Sequence, residues 1–402
     1  MAVDPVNPLS ERTDGSRLVL LINDTSNLCH WGCFGTSEAI KAEVLGRGND
    51  ISTVSAEQIP RFGRDLNTYR EFDSDSVFSQ FATRHHALLE AVSSADHILV
   101  NGEGSLHGDR NVAKTLLYII YISAVRYGKR VDIINHSCYP TDFADPTDSP
   151  RILDLYKKSY AVANAVVVRE PVSYEQVKSL LRSDAHLGFD CLPLYLDRYF
   201  SGAADRHPVT TGGQPSVVFS GSVRWTRSQA RTIYQAAKTL TKNRISSMLL
   251  IGSKSTPSNE DARLASALET VLRRRRLFGM ESAKSPTIST FEARTFAAWM
   301  GCISQSTLLV SGRFHHTIAA ACAGTPFVVG DTNTPKIQGL MLSIGSDAIR
   351  ADFGEAGWQT MVVEQALKAK PSSTVDSPFD RSAIQRLSNA ATLNFIGLNE
   401  RI

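Results

Sequence analysis

The sequence predicts an α/β protein made of two Rossmann-like parallel-sheet domains facing a cleft. Three observations carry that prediction. Short runs rich in Val, Ile and Leu alternate with segments of helical length along the chain, the pattern of parallel strands covered on both faces. One stretch breaks the rhythm with Pro and Gly, DRHPVTTGGQPS at 205–216, and the alternation restarts after it. The length of 402 residues exceeds one ordinary core and favours about two domains. The boundaries expected are 1–205 and 206–402, with the last helices packing back on the first domain.

In the first half, RLVLLIND (Arg17 to Asp24) reads as a strand, followed by a polar loop and a helix through EAIKAEVLGRG. DISTVSA reads as a second strand. The segment Ile59 to Ser79, rich in Arg, Asp and Tyr, reads as a long excursion. A helix over FATRHHALLEAVSSA precedes the strand of DHILVNGEGSLHGD, which ends in a glycine loop. Then follow helix VAKTLLYIIYISAVRYGK, strand RVDIINHS, helix PRILDLYKKSYAVANA and strand AVVVRE. PVSYEQVKSLLRS is a helix entered at Pro171, where a missing N–H matters least. HLGFDCLPLYL closes the half.

In the second half SVVFSGS, SSMLLIGS, TLLVSGR and PFVVGD read as strands. TRSQARTIYQAAKTLTKN, NEDARLASALETVLRRRR, TFEARTFAAWMGCISQ, HHTIAAACAG and TPKIQGLMLSIG read as helices, and the final ~50 residues are helical in pattern.

Composition narrows the function classes. Apolar content of 42% and charged content of 21% fit a soluble globular protein. A net charge of +3 makes no case for a nucleic-acid partner, so any anion site must be local. Six cysteines lie mostly in apolar runs, with no disulfide framework, and CHWGC (Cys29 to Cys33) lacks a second zinc pair. No metal and no resident cofactor are expected. The first residues, MAVDPVNPLSERTDGSR, carry no apolar stretch of signal-peptide length, and no run reaches the ~20 apolar residues of a membrane span, so neither a leader nor a span is expected. The expected location is the cytoplasm, at or near the inner face of the cytoplasmic membrane. RRRR (Arg273 to Arg276) reads first as cations at a helix C-terminus, and second as a peripheral contact with anionic lipid. No G-x-G-x-x-G follows the first strand, which disfavours a dehydrogenase.

Ligands of open parallel sheets bind beyond the carboxyl ends of the strands, so the residues there are the candidates. NGEGSLHGD supplies Asn101, Gly102, Glu103, Gly104, His107 and Asp109. Gly102 and Gly104 let backbone approach a ligand. Glu103 is either a solvated turn residue or a general acid/base. His136 and Ser137 follow the next strand, Arg169 and Glu170 the one after, and Asp190 the last. FSGSVRWTRSQ brings Ser220, Gly221, Ser222 and Arg224 to a helix start, a phosphate-binding pattern, although Thr226 serves equally as a plain cap. Ser253, Lys254 and Asp331 end other strands. In LLVSGRFHHTIAAACAGTPFVVGD, Arg313 offers a planar fork for a carboxylate or phosphate, and His315 an acid or base near neutral pH. His316 taken alone reads as a buried histidine.

Taken as a set, these residues resemble the polysaccharide pyruvyl transferase family. Its Ser-x-Arg-x-His signature, small-residue helix, Gly-x-Pro turn, strand and later Lys are matched by Ser311, Arg313, His315, AGTPFVV and Lys336. Trp31 and Gly32, the NGEGSLHGD loop, Arg169 with Ser173, and Asp190 match earlier parts. The resemblance implies the two-domain fold of GT-B glycosyltransferases. It also implies transfer of the enolpyruvyl carbons of phosphoenolpyruvate to sugar hydroxyls as a ketal. Arg313, His315, His316, Arg169, Lys336 and the Ser220–Arg224 loop would then serve the anionic donor. The first domain would bind the carbohydrate acceptor, which can be lipid-linked. The acidic GEG sequence departs from the family's glycines, and with Asp190 it resembles retaining Kdo transferases of lipopolysaccharide, capsule or O-antigen assembly. In that case the donor is CMP-Kdo, Asp190 the nucleophile, and Glu103 the acid/base. A third reading is a non-catalytic sugar-binding module.

Overall fold

A computed structural model describes residues 16–28, 30–140, 150–201, 216–222, 227–252, 259–277, 286–330, 334–345, 357–369 and 381–398. The chain divides into two compact units. The first comprises Met1–Asn27, Gly35–Tyr195 and Leu387–Ile402, and the second Leu28–Phe34 and Leu196–Arg386.

The sheet of the first unit contains β1 (Leu18–Asp24), β2 (Asp50–Ser55), β3 (His97–Glu103), β4 (Arg130–His136), β5 (Ala165–Val168) and β6 (His186–Leu187). Every pairing is parallel, in the order β2-β1-β3-β4-β5-β6. β1 and β3 are buried along their whole length, as their unbroken apolar runs require. The order reverses between β1 and β3, because β2 lies on one side of β1 and β3 on the other. A crevice for ligands forms at such a reversal, beyond the carboxyl ends of the strands.

The second unit repeats the plan with β7 (Ser216–Ser222), β8 (Ser246–Ile251), β9 (Ile288–Glu292), β10 (Leu308–Gly312) and β11 (Phe327–Val329). All pairings are again parallel, ordered β11-β10-β7-β8-β9. Here the reversal lies between β7 and β10, so Ser220–Ser222 and Ser311–Arg313 end at the same place.

Three sequence expectations are corrected. The segment from Ile59 to Ser79 is no excursion. Ile59, Phe62, Leu66 and Phe72 enter the first core, and Phe62 stacks on Tyr118 with ring centroids 5.7 Å apart. The helix expected over FATRHHALLEAVSSA is two, Asp75–Arg84 and His86–Ser94, broken at His85. The first three residues of TFEARTFAAWMGCISQ form the end of β9, and only Phe296–Ser304 is helical, capped by the Thr295 hydroxyl on Ala298 N–H at 3.0 Å.

The C-terminal segment Thr392–Leu398 runs along the first sheet. Leu393 sits against Gly188, a side chain at Gly397 would collide with Asp132, and Arg17 Nη2 donates to Leu398 O at 2.8 Å. Among the described residues, no helix is long and apolar enough to cross a membrane. Arg273–Arg276 lie in the last turns of the helix Asn259–Leu277.

Candidate active site

At the reversal point of the first sheet, Thr25 follows β1 and Glu103 ends β3. The Thr25 hydroxyl donates to Glu103 Oε2 at 2.7 Å and exchanges a 2.9 Å bond with the Ser37 hydroxyl. Glu103 is only 6% exposed, which removes the reading of a solvated turn glutamate. Its φ of 37° lies in the left-handed region, a conformation that costs a non-glycine residue roughly 1–2 kcal/mol. Strain of that kind at a carboxylate beside a ligand crevice is a functional signal.

Asp190 lies in the same unit and is fully buried. Its Oδ1 accepts from the Thr36 hydroxyl at 3.0 Å and from Leu192 N–H at 2.9 Å. Its Oδ2 accepts from Arg169 Nη1 at 2.8 Å. Arg169, 2% exposed, also donates from Nε to Ser137 Oγ at 3.0 Å. The expectation of Arg169 as an open anion clamp is therefore corrected: its guanidinium is committed to the interior, where it holds Asp190. Burial drives the Cys191 thiol pKa far up, and the charges of Asp190, Glu43 and Glu103 add to it.

The remaining first-unit candidates separate. Gly102 does not make room for a ligand: a side chain there would strike His136 Cβ at 2.3 Å, so the glycine admits that imidazole. His136 is sealed between Val167 O at 3.0 Å from Nδ1 and the Tyr160 hydroxyl at 2.9 Å from Nε2. Burial pushes its pKa down to about 3, so it stays neutral and serves no acceptor. Gly104 does face open space, and His107 pairs backbone with Tyr139. Asn101 is buried. Ser173 and Glu170 are structural: Glu170 caps the helix Pro171–Leu180 through Ser173 N–H at 3.0 Å, and Ser173 Oγ accepts from Cys138 N–H at 2.8 Å.

In the second unit, the Ser220 hydroxyl donates to Ser311 Oγ at 2.6 Å, and Ser311 Oγ accepts Arg313 N–H at 3.0 Å. One hydroxyl bond bridges the strands at each reversal point. Ser220 and Ser222 are buried, and a side chain at Gly221 would come within 3.9 Å of Arg313 Nη2. Arg313 is the N-cap of the helix Phe314–Ala323, and its Nη2 binds Asp261 Oδ1. The helix ends at Gly324 with φ 66°. Its first N–H groups follow directly on Arg313 at the end of β10, an arrangement suited to an anion. Lys336 begins the helix Lys336–Ile344, a position where the helix dipole disfavours a cation unless an anion accompanies it.

Trp31 and Gly32 have a specific use. Trp31 Nε1 donates to Ala293 O at 2.6 Å, and a side chain at Gly32 would sit 2.1 Å from His315 Cβ. Gly32 therefore seats the His315 ring, whose Nδ1 lies 4.0 Å from Cys33 Sγ. His316 is not a donor ligand. It is 4% exposed, packs on Gly252, and faces the Trp299 ring at 5.4 Å, and burial keeps it neutral with a pKa far below the usual imidazole value. Arg224, Thr226, Ser253, Lys254, Asp331 and Cys29 lie outside the described residues.

The two sealed histidines fix a pH response. In the unfolded chain each takes a proton below roughly pH 6.5, whereas neither does so in the fold. Their folded pKa values are depressed, so stability is full above about pH 6.5 and declines as the pH falls toward 3. Denaturant midpoints at pH 7.5 and 5.5 check this: the lower pH should give the lower midpoint, and a variant His136→Gln the shallower dependence.

Sequence reasoning missed Thr25, Thr36 and Asp261. Thr25 and Thr36 sit in a loop and helix whose polarity gave no signal, and Asp261 meets Arg313 from 52 residues away.

By structure, the chain is similar to UDP-N-acetylglucosamine 2-epimerase from Rickettsia bellii, with a TM-score of 0.57 at 11% identity over 95% of each chain. It is also similar to a UDP-forming α,α-trehalose-phosphate synthase from Burkholderia xenovorans, with a TM-score of 0.54 at 12% identity over 94% of this chain and 96% of that one. These likenesses give the fold, that of the GT-B glycosyltransferases with two parallel-sheet α/β domains. No curated protein matches the sequence. The profile of the polysaccharide pyruvyl transferase family matches residues 44–332, a span running from the helix after β1 through the Arg313 helix and β11. A chain matched over most of its length, with its Ser-x-Arg-x-His turn at the reversal point of a sheet, belongs to the polysaccharide pyruvyl transferase family.

Proposed function

We propose that the chain is a pyruvyltransferase of bacterial surface polysaccharide synthesis that moves a pyruvyl group from phosphoenolpyruvate onto a sugar as a ketal. The observation that carries the reading is the anion cradle of the second unit: Arg313, the first N–H groups of the helix Phe314–Ala323, and the bonded Ser220 and Ser311 hydroxyls at one sheet reversal. A doubly anionic donor needs such a cradle. In this reading His315, whose ring packs on Gly32, gives a proton to the methylene carbon of the donor. Glu103, the strained carboxylate of the first unit, takes the proton of the attacking hydroxyl. One sugar oxygen bonds to the central donor carbon, the phosphate departs with its oxygen, and a second hydroxyl closes the ketal. Of the two hydroxyl protons lost, one replaces that used at the methylene and the other leaves with phosphate. Lys336 and the Ser220–Arg224 loop assist the phosphate.

A second reading, glycosyl transfer from CMP-Kdo, draws support from the two buried carboxylates of the first unit, Glu103 and Asp190. It requires Asp190 as nucleophile, yet both oxygens of Asp190 already accept hydrogen bonds. Pyruvyl transfer is therefore placed first.

The test is donor choice. Purified protein is given phosphoenolpyruvate or CMP-Kdo with an envelope-glycan acceptor preparation, and released phosphate and CMP are measured. Phosphate release is expected. CMP release alone, abolished by Asp190→Asn, establishes the second reading instead, and turnover of neither favours a binding module.

A further inference from the structure

Three non-glycine residues of the first unit end adjacent strands in the left-handed backbone region: Asn23 with φ 66° on β1, Glu103 with φ 37° on β3, and Asn135 with φ 53° on β4. Asparagine adopts this region with little strain, glutamate does not. Something must therefore hold the three ends in place. The hydrogen bonds show what does. Asn23 Nδ2 donates to Asn101 O at 2.6 Å and to Ser105 Oγ at 3.3 Å, and Asn101 Nδ2 donates back to Asn23 O at 3.3 Å. Asn135 Nδ2 donates to Asn101 Oδ1 at 2.9 Å. Asn135 N–H donates to Asn394 Oδ1 at 2.7 Å, and Asn394 Nδ2 donates to Phe189 O at 2.8 Å. Asn135 Oδ1 accepts Cys191 N–H at 3.1 Å. All four asparagines are at most 1% exposed.

The pattern brackets two residues. Asp190 lies between Phe189, whose carbonyl is held by Asn394, and Cys191, whose N–H is held by Asn135. Glu103 lies between Asn101 and Ser105, both held by Asn23, and its own carbonyl accepts Ser137 N–H at 3.0 Å. Four hydrogen-bonded amides on three strand ends and on the C-terminal segment thus grip the peptides that carry both carboxylates. Each of the four amides makes at least one of these bonds, although Asn23 Oδ1 is buried without a partner; bonds coupled in this way act together, so losing one member loosens the rest.

We infer that Asn23, Asn101, Asn135 and Asn394 form a positioning relay that fixes Glu103 and Asp190, with the C-terminal segment supplying its last member. The inference rests on the reading that Glu103 serves the reaction, with Asp190 the buried carboxylate held beside it in the same network. Its geometric content does not depend on which donor is used. None of the four is a catalytic residue, because each acts through the backbone of its neighbours.

The test compares Asn135→Gly, Asn135→Ala, Asn394→Ala and Arg17→Ala. Glycine keeps the left-handed backbone at 135 but removes the relay bonds. Arg17→Ala loosens the same C-terminal segment at Leu398 without touching the relay. Two quantities are read: amide hydrogen exchange of the peptides 101–106 and 189–194, and turnover of whichever donor the wild type consumes. Asn394→Ala and Asn135→Gly should speed exchange in both peptides about tenfold, whereas Arg17→Ala should not. They should lower kcat by roughly 10- to 100-fold and leave the donor KM within about twofold. Asn135→Ala should add a loss of thermal stability that Asn135→Gly escapes. Wild-type kcat in Asn135→Gly, or unchanged exchange in both peptides, overturns the relay. Should Asn135 variants fail to fold, Asn394→Ala against Arg17→Ala decides. Should the wild type consume neither donor, the functional reading falls, and the exchange pattern alone upholds or refutes the relay.

Discussion

Arg313→Lys is expected to lower donor turnover by on the order of 10²–10³-fold while the protein melts close to wild type. Lysine keeps the positive charge beside Asp261 but loses the planar fork that grips phosphate or carboxylate at two points. The alanine variant is predicted to behave differently. Asp261 is 3% exposed and is the partner of Arg313 Nη2. Removing the arginine strands a buried carboxylate, a loss on the order of 3 kcal/mol. Arg313→Ala should therefore lose both activity and stability. Adding Asp261→Asn should restore much of the melting temperature and none of the activity. Thermal melts and phosphate release on the three variants check this. Full activity in Arg313→Lys removes Arg313 from the donor site.

Glu103→Gln should reduce kcat by roughly 10²–10⁴-fold with little change in stability. The amide keeps an oxygen for the Thr25 hydroxyl, so the 2.7 Å contact and the strained turn survive. Only the capacity to take a proton is lost. A matched Thr25→Val variant, which keeps the carboxylate but removes its hydrogen-bond donor, should give a smaller fall in kcat. A pH–rate profile of the wild type, Glu103→Gln and Thr25→Val decides the matter. Unchanged turnover in Glu103→Gln makes the residue a structural strand end.

Much of the fold is legible because β1, β3, β7 and β10 are continuous apolar runs buried over their whole length. β9 is not legible, since Ile288–Glu292 is a largely exposed edge strand whose polar residues match a helix pattern as well. The segment Ile59 to Ser79 misleads through composition: its charges conceal Ile59, Phe62, Leu66 and Phe72, whose spacing follows no single period. In the candidate site, residue type and placement after a strand are enough to nominate Glu103, Arg313 and His315. They do not tell which way a side chain turns. His136 and His316 follow the same rule of placement as His315, yet their rings enter the two cores. Arg169 and Asp190 both attract attention as ionisable groups, whereas their mutual contact at 2.8 Å needs coordinates. The same holds for Gly32 beneath His315, a contact across more than 280 residues of chain.

The most direct test of the central claim is a crystal structure of the protein with phosphoenolpyruvate bound. The account predicts the donor phosphate at the carboxyl ends of β7 and β10, within hydrogen-bond reach of Arg313 and of the first N–H groups of the helix Phe314–Ala323. A donor bound elsewhere, with Arg313 still turned to Asp261 and the helix start holding nothing, would contradict it.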